Sequence, residues 1–80
     1  MAKAKYIKTK GNDIIVFGEQ MMHSDFKHMN PVSAGFIYFR IDEDGNPTCT
    51  CHGESISLGL ASDEEEDTFL AQSQLGFRYY

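Results

Sequence analysis

The sequence contains no tryptophan, only two prolines and two cysteines, and no long apolar run. A bilayer-spanning helix needs roughly 20 apolar residues, so we expect no membrane segment. The basic start of the chain leads into no apolar stretch and is not typical of a secretory signal. Two neighbouring cysteines cannot staple a secreted mini-domain, so we expect a protein of the reducing cytoplasm.

Cationic side chains are also scarce. The chain has 7 Lys and Arg against 12 Asp and Glu, which gives a net charge of −5 and disfavours a general affinity for polyphosphate. The composition is 41% hydrophobic and 12% aromatic, which is too apolar for disorder. At 80 residues, we expect residues 1–80 to form one small domain.

Several short stretches have the aromatic and β-branched composition of strands. Gly11 and Asn12 suit a tight hairpin turn between the first two, and a Gly-Asn-Pro turn follows the third. A fifth stretch alternates apolar and polar residues with period two. The predicted strands are residues 6–9, 14–17, 34–41, 48–52 and 56–60.

Two helical segments are predicted. Ser24 is expected to cap a short turn that ends at Met29, before Asn30-Pro31. Ser62 and Glu65 have the spacing of a capping box, and the acidic run 63–67 suits the start of a longer helix. This helix is expected to direct Phe69, Leu70 and Ala71 inward and to end near Gly76.

Together these elements predict an α+β fold: an antiparallel sheet of four to five strands with one C-terminal helix packed on one face. Residues 14–17 and 36–39 are apolar on both sides of their strands, however, and one helix cannot cover both. Residues 20–32, the aromatic tail 77–80 or a second copy of the chain could cover the other face. Curling of the strands into a small closed barrel is the alternative.

The tetrapeptide Cys49-Thr50-Cys51-His52 is the best candidate for metal chemistry. On a strand, Cys49 and Cys51 point to the same side, and His23 and His28 could complete a zinc site. The spacing is not that of ordinary zinc knuckles, and two small buried residues are the simpler interpretation. We therefore expect no metal and no cofactor.

Serine and histidine lie close together in the sequence at His52, Ser55 and Ser57, which invites a hydrolase interpretation. The nucleophile-elbow pattern G-x-S-x-G is absent there, because no glycine follows at the required position. Glycine-rich phosphate-binding motifs are absent as well. The sequence thus predicts a protein that is not an enzyme.

A lysine-rich patch is predicted near the start of the chain. Lys8 and Lys10 are expected to share a strand side with Tyr6, and Lys5 lies beside them in the sequence. Cations around an aromatic ring are typical of single-stranded nucleic-acid binding. Lysines on an edge strand also prevent aggregation, so nucleic-acid binding is kept as the alternative function.

An acidic surface is predicted at the helix start, where Glu64 and Glu66 lie, and at the turn formed by residues 42–44. Acidic residues favour helix N-termini, but such a surface also attracts a basic partner. The main expectation is therefore a cytoplasmic binding or regulatory module that contacts a protein partner through this surface or through exposed aromatics. A homodimer is one form that such contacts could take.

Overall fold

The computed structural model describes residues 2–75 and has the α+β architecture predicted from the sequence. Four strands form the main sheet, two short strands form a separate small hairpin, and one C-terminal helix follows them. A seven-residue 3-10 helix lies between the second and third strands. The bounds are β1 Ala2–Thr9, β2 Ile14–Phe17, the 3-10 helix His23–Met29, β3 Pro31–Ile41, β4 Pro47–His52, β5 Glu54–Ser55, β6 Leu60–Ala61 and α1 Glu64–Gln74.

The main sheet is antiparallel throughout, in the order β2-β1-β3-β4. The predicted turn between β1 and β2 is confirmed, with Asn12 in the left-handed region at φ 66°. Gly45 has φ 82° in the turn between β3 and β4, a conformation that favours glycine. These two turns form the hairpins β1–β2 and β3–β4, and the pairing of β1 with β3 joins them, so the two long strands lie at the centre of the sheet.

One face of the sheet packs against α1. The core on this side contains Tyr6, Ile14, Ile37, Cys49, Cys51 and Ala71. Phe69 was predicted to face inward, but its side chain is 69% exposed. The capping-box prediction is also wrong: α1 begins after Asp63, and the Ser62 hydroxyl is instead hydrogen-bonded to the Tyr6 hydroxyl at 2.5 Å.

Helix α1 also closes the outer edge of β4. The hydroxyl of Thr68 accepts a hydrogen bond from the Cys51 amide at 2.8 Å, and the Gln72 side-chain amide donates to the Cys49 carbonyl at 3.0 Å. The Cys51 amide and the Cys49 carbonyl are therefore already hydrogen-bonded, whereas in a bare edge strand such groups are free to pair with another chain. Pairing of a foreign strand with β4 is therefore obstructed at Cys49 and Cys51.

The opposite face of the sheet is covered over part of its area by the 3-10 helix and the β5–β6 hairpin. Ile7, Phe17 and Ala34 are buried there, and the ring centroids of Phe17 and Phe26 stack 4.0 Å apart. Ile15, Met29, Leu58 and Leu60 also pack against this second cluster. The chain's own residues thus shelter this part of the sheet, and its burial requires no second copy.

Residues 56–60 do not form the strand that their alternation predicted. Residues 56–59 make the turn of the β5–β6 hairpin, in which Gly59 has φ 66°, and Leu60 begins β6. Ser55 is buried, and its hydroxyl accepts a hydrogen bond from the Leu58 amide at 3.2 Å. This serine therefore stabilises the turn.

The short helical turn before β3 is confirmed, although it begins at His23 rather than after a Ser24 cap. The Met22 amide donates to the Asp25 carboxylate at 3.0 Å, which closes the start of the 3-10 helix. Within residues 2–75, no helix is both long and apolar enough to cross a membrane. Gly76 and the aromatic tail lie outside the described residues.

Candidate functional site

A groove remains on the second face, beside the area covered by the 3-10 helix and the β5–β6 hairpin. Its volume is about 550 Å³. Phe36 and Tyr38 project into it from β3, and His52 projects from β4. The rings of Tyr38 and His52 stack, with centroids 4.5 Å apart and an interplanar angle of 22°. We call this the aromatic groove.

The rim of the aromatic groove carries exposed apolar side chains. Ile56, in the turn of the β5–β6 hairpin, is 89% exposed, and Met22, at the start of the 3-10 helix, is 56% exposed. Both side chains line the groove although they come from distant parts of the chain. Apolar side chains left open beside aromatic rings favour contact with another molecule.

Two lysines of β1 line the aromatic groove. The Lys3 ammonium lies 4.7 Å from the centroid of the Phe36 ring and 5.8 Å from that of Tyr38, so cation–π attraction holds it there. The Lys5 ammonium donates to the Met21 carbonyl at 2.8 Å. Both cations are thus tethered to neighbouring groups at the groove.

His23 anchors one wall of the aromatic groove to the sheet. Its ring is buried, and Nε2 donates to the Gly35 carbonyl at 2.8 Å. The ring also meets Phe17 and Phe36 edge-on, at centroid distances of 5.5 and 5.8 Å. This histidine holds the start of the 3-10 helix in place and therefore fixes the position of neighbouring Met22.

The lysine-rich patch predicted from the sequence is not a surface patch. Tyr6 and Lys8 do lie on the same side of β1, but that side faces α1, and both side chains are buried. Lys5 lies on the other face of the sheet, in the aromatic groove, and Lys10 is exposed in the turn after β1. The four residues thus form no common basic surface.

Tyr6 and Lys8 instead surround Asp67, a completely buried carboxylate on α1. Its Oδ2 accepts hydrogen bonds from the Tyr6 hydroxyl at 2.5 Å and the Ser33 hydroxyl at 2.7 Å. The Lys8 ammonium forms an ion pair with Oδ1 at 2.9 Å, without a well-directed hydrogen bond. This cluster joins α1 to β1 and β3.

The ionisation of the cluster follows from these contacts. Burial alone would raise the pKa of Asp67, but the donors around the carboxylate outweigh burial and hold its pKa below the ordinary value. Burial raises the pKa of the Tyr6 phenol strongly, and the neighbouring carboxylate adds to this rise. For Lys8, burial opposes the charge, but its pairing with Asp67 and Glu66 raises the pKa above the ordinary value. The charged pair is therefore the stable form at neutral pH.

The two glutamates of the predicted acidic surface have different surroundings. Glu64 is exposed at the first residue of α1. Glu66 accepts a hydrogen bond from the Lys8 ammonium at 3.0 Å, while half of its side chain stays exposed. Part of the negative charge at the helix start thus balances an internal lysine.

Cys49 and Cys51 are free and buried between β4 and α1. Burial raises the pKa of the Cys49 thiol to about 11 and that of Cys51 to about 12. His23 and His28, which were expected to complete the site, both belong to the 3-10 helix on the opposite face of the sheet, so neither meets the two thiols. Within residues 2–75, no three His, Cys, Asp or Glu side chains are grouped to hold a metal ion.

Comparison of the chain with known protein families, with curated proteins and with solved structures finds no match.

The aromatic groove itself was not predicted. One signal in the sequence pointed towards it: residues 36–39 are too apolar for a strand with one solvated face. What the pattern could not show is that Lys3 and Lys5 pair with Tyr38 and Phe36 across the β1–β3 ladder.

Proposed function

We propose that this protein is a non-enzymatic binding module that contacts a protein partner through the aromatic groove. The observation that carries the proposal is the exposure of Ile56 and Met22 beside the rings of Phe36 and Tyr38. Aromatic and methionine side chains are enriched at the centres of protein interfaces, where their burial provides most of the binding energy.

Nucleic-acid binding has less support. Tyr6 and Lys8, half of the proposed basic patch, are buried against α1. Of the residues that the structure describes, only two lysines line the aromatic groove, and the net charge of −5 opposes association with a polyanion. We propose a cytoplasmic location, which the two free thiols support because a reducing compartment favours free cysteines.

Affinity capture from an extract of the native cells tests the proposal. The wild-type chain is compared with a variant that carries Met22→Ser and Ile56→Ser, which removes both exposed apolar side chains from the rim. Because hot-spot residues dominate binding energy, we expect the double variant to lose about ten-fold or more of the captured partner.

The matched control carries Val32→Ser and Ile41→Ser, which removes two exposed apolar side chains outside the aromatic groove. Circular dichroism establishes that both variants stay folded. Equal losses in the two double variants, or no loss in either, would show that the partner binds elsewhere. In that case the helix surface of Glu64 and Glu66 becomes the next surface to test.

A further inference from the structure

We propose that the aromatic groove binds an extended acidic segment of the partner, with carboxylates at alternate positions that pair with Lys3 and Lys5. The inference rests on the proposed function and names the chemistry of its partner. Apolar side chains elsewhere in the segment would contact the exposed rim residues Met22 and Ile56. The following observations on charge and spacing lead to this choice.

The first observation is the spacing of the two lysines. Lys3 and Lys5 are two residues apart on β1, and both line the groove. Residues two apart on a strand point to the same side and are roughly 6.6–6.8 Å apart along it. Carboxylates at alternate positions of an extended segment have the same spacing. A segment that lies along β1 can therefore present its carboxylates at the same spacing as the two lysine positions on the strand.

The second observation is how the two cations are held. Lys3 lies over the rings of Phe36 and Tyr38, and Lys5 is bonded to the Met21 carbonyl. Each ammonium group has three donors, so Lys5 keeps donors for a ligand. Because contacts within the protein already restrict both side chains, pairing with a carboxylate orders them at little further entropic cost.

The third observation is the distribution of negative charge. Glu54 is the one acidic side chain among the described residues that line the aromatic groove. Glu19 lies 3.8 Å from the Lys3 ammonium, but the two side chains are 39% and 51% exposed, so this contact is weak and a ligand carboxylate can replace it. The chain as a whole is acidic, but the groove contains two lysines and one glutamate, so its local charge favours an acidic segment.

Titration of the isotopically labelled full chain with defined peptides, followed by NMR, tests the inference. The acidic probe is a short peptide with aspartate at two alternate positions, then leucine and phenylalanine at the next two. A second peptide replaces both aspartates by serine. We expect both to shift the signals of Tyr38 and Ile56, and the acidic peptide to bind about five-fold more tightly at low salt.

The double variant Lys3→Gln, Lys5→Gln removes both cations, and Lys10→Gln, Lys27→Gln is the control with the same change of charge. The five-fold advantage is expected to vanish in the first variant and to persist in the second. Equal affinity of the two peptides for the wild-type chain, or a shared loss in both variants, would overturn the acidic preference but leave the groove as a binding site.

Two further outcomes separate the inference from the proposed function. If neither peptide moves the groove signals, both the inference and the assignment of the groove as the peptide site fail. If an oligothymidine moves the same signals with higher affinity than the acidic peptide, the inference is overturned in favour of a nucleic-acid site. Binding of the acidic peptide alone at Tyr38 and Ile56 supports both proposals.

Discussion

Replacing Asp67 by asparagine keeps the shape of the side chain but removes the only completely buried charge in residues 2–75. The carboxylate holds α1 to the sheet through Tyr6, Ser33 and Lys8. In the variant, the Lys8 ammonium stays buried and retains Glu66 alone as its counter-charge at 3.0 Å. The loss is therefore that of a buried ion pair, together with weaker hydrogen bonds from two hydroxyl groups.

The size of the effect follows from these contacts. Removal of one partner from a buried ion pair costs about 3–5 kcal/mol, and the remaining Glu66 contact reduces this to about 2–4 kcal/mol. A domain of 80 residues has a total unfolding free energy of roughly 4–12 kcal/mol. Asp67→Asn is thus expected to remove a large part of the stability of the fold.

Urea denaturation followed by circular dichroism measures this loss. The control is Glu65→Gln, which removes the same charge from an exposed position on α1 and is expected to leave the midpoint nearly unchanged. A cost below about 1 kcal/mol for Asp67→Asn, or equal shifts in the two variants, would refute the structural role assigned to the cluster.

The same variant has a defined pH dependence. The pKa of Asp67 is lower in the folded chain than its ordinary value of 3.8, so the charged carboxylate favours folding above that value. The stabilisation is lost as the pH falls through the folded pKa. The difference between wild type and Asp67→Asn is therefore expected to be constant from pH 5 to 7 and to shrink below about pH 4. A constant difference down to pH 2 would contradict the assignment.

Two other predictions follow from buried positions. A Cβ on Gly35 would lie 2.5 Å from the His52 carbonyl oxygen, so Gly35→Ala is expected to lower the free energy of unfolding by about 1–3 kcal/mol, as measured by thermal unfolding. The control Gly11→Ala, whose Cβ would meet no atom nearer than 3.8 Å, is expected to be nearly neutral. Equal melting temperatures of the two variants would contradict this. Cys49 and Cys51 have raised pKa values and are buried, so iodoacetamide is expected to modify them in urea and hardly at all in the native state at pH 8. Rapid native modification, measured by mass spectrometry, would show that the cluster between β4 and α1 is open.

The α+β class and the main strands were accessible from sequence because their signals are local. Hairpin turns at Asn12 and Gly45, the apolar strands and the acidic helix start each depend on adjacent residues. The apolar side chains on both sides of β2 also indicated that a second element covers part of the sheet, and the 3-10 helix and the β5–β6 hairpin do so.

The errors arose where a side chain's partner is distant in the chain. Tyr6 and Lys8 were predicted to form a basic surface because nothing near them in the sequence indicates burial. The helix that covers them carries Asp67, their partner, which lies about 60 residues further along the chain. Ser62 matched a cap, but its hydroxyl meets Tyr6 instead. The alternation in residues 56–60 resembled a strand, yet the same spacing suits a turn in which Gly59 adopts a left-handed conformation and leaves Ile56 exposed.

The most direct test of the aromatic groove as the contact surface is site-specific photo-crosslinking in the native cells. A photoreactive phenylalanine analogue replaces Ile56 at the rim or, as the control, Ile41 outside the groove. The account predicts one discrete adduct from the Ile56 position and none of that mass from the Ile41 position. The same adduct from both positions, or from Ile41 alone, would contradict it.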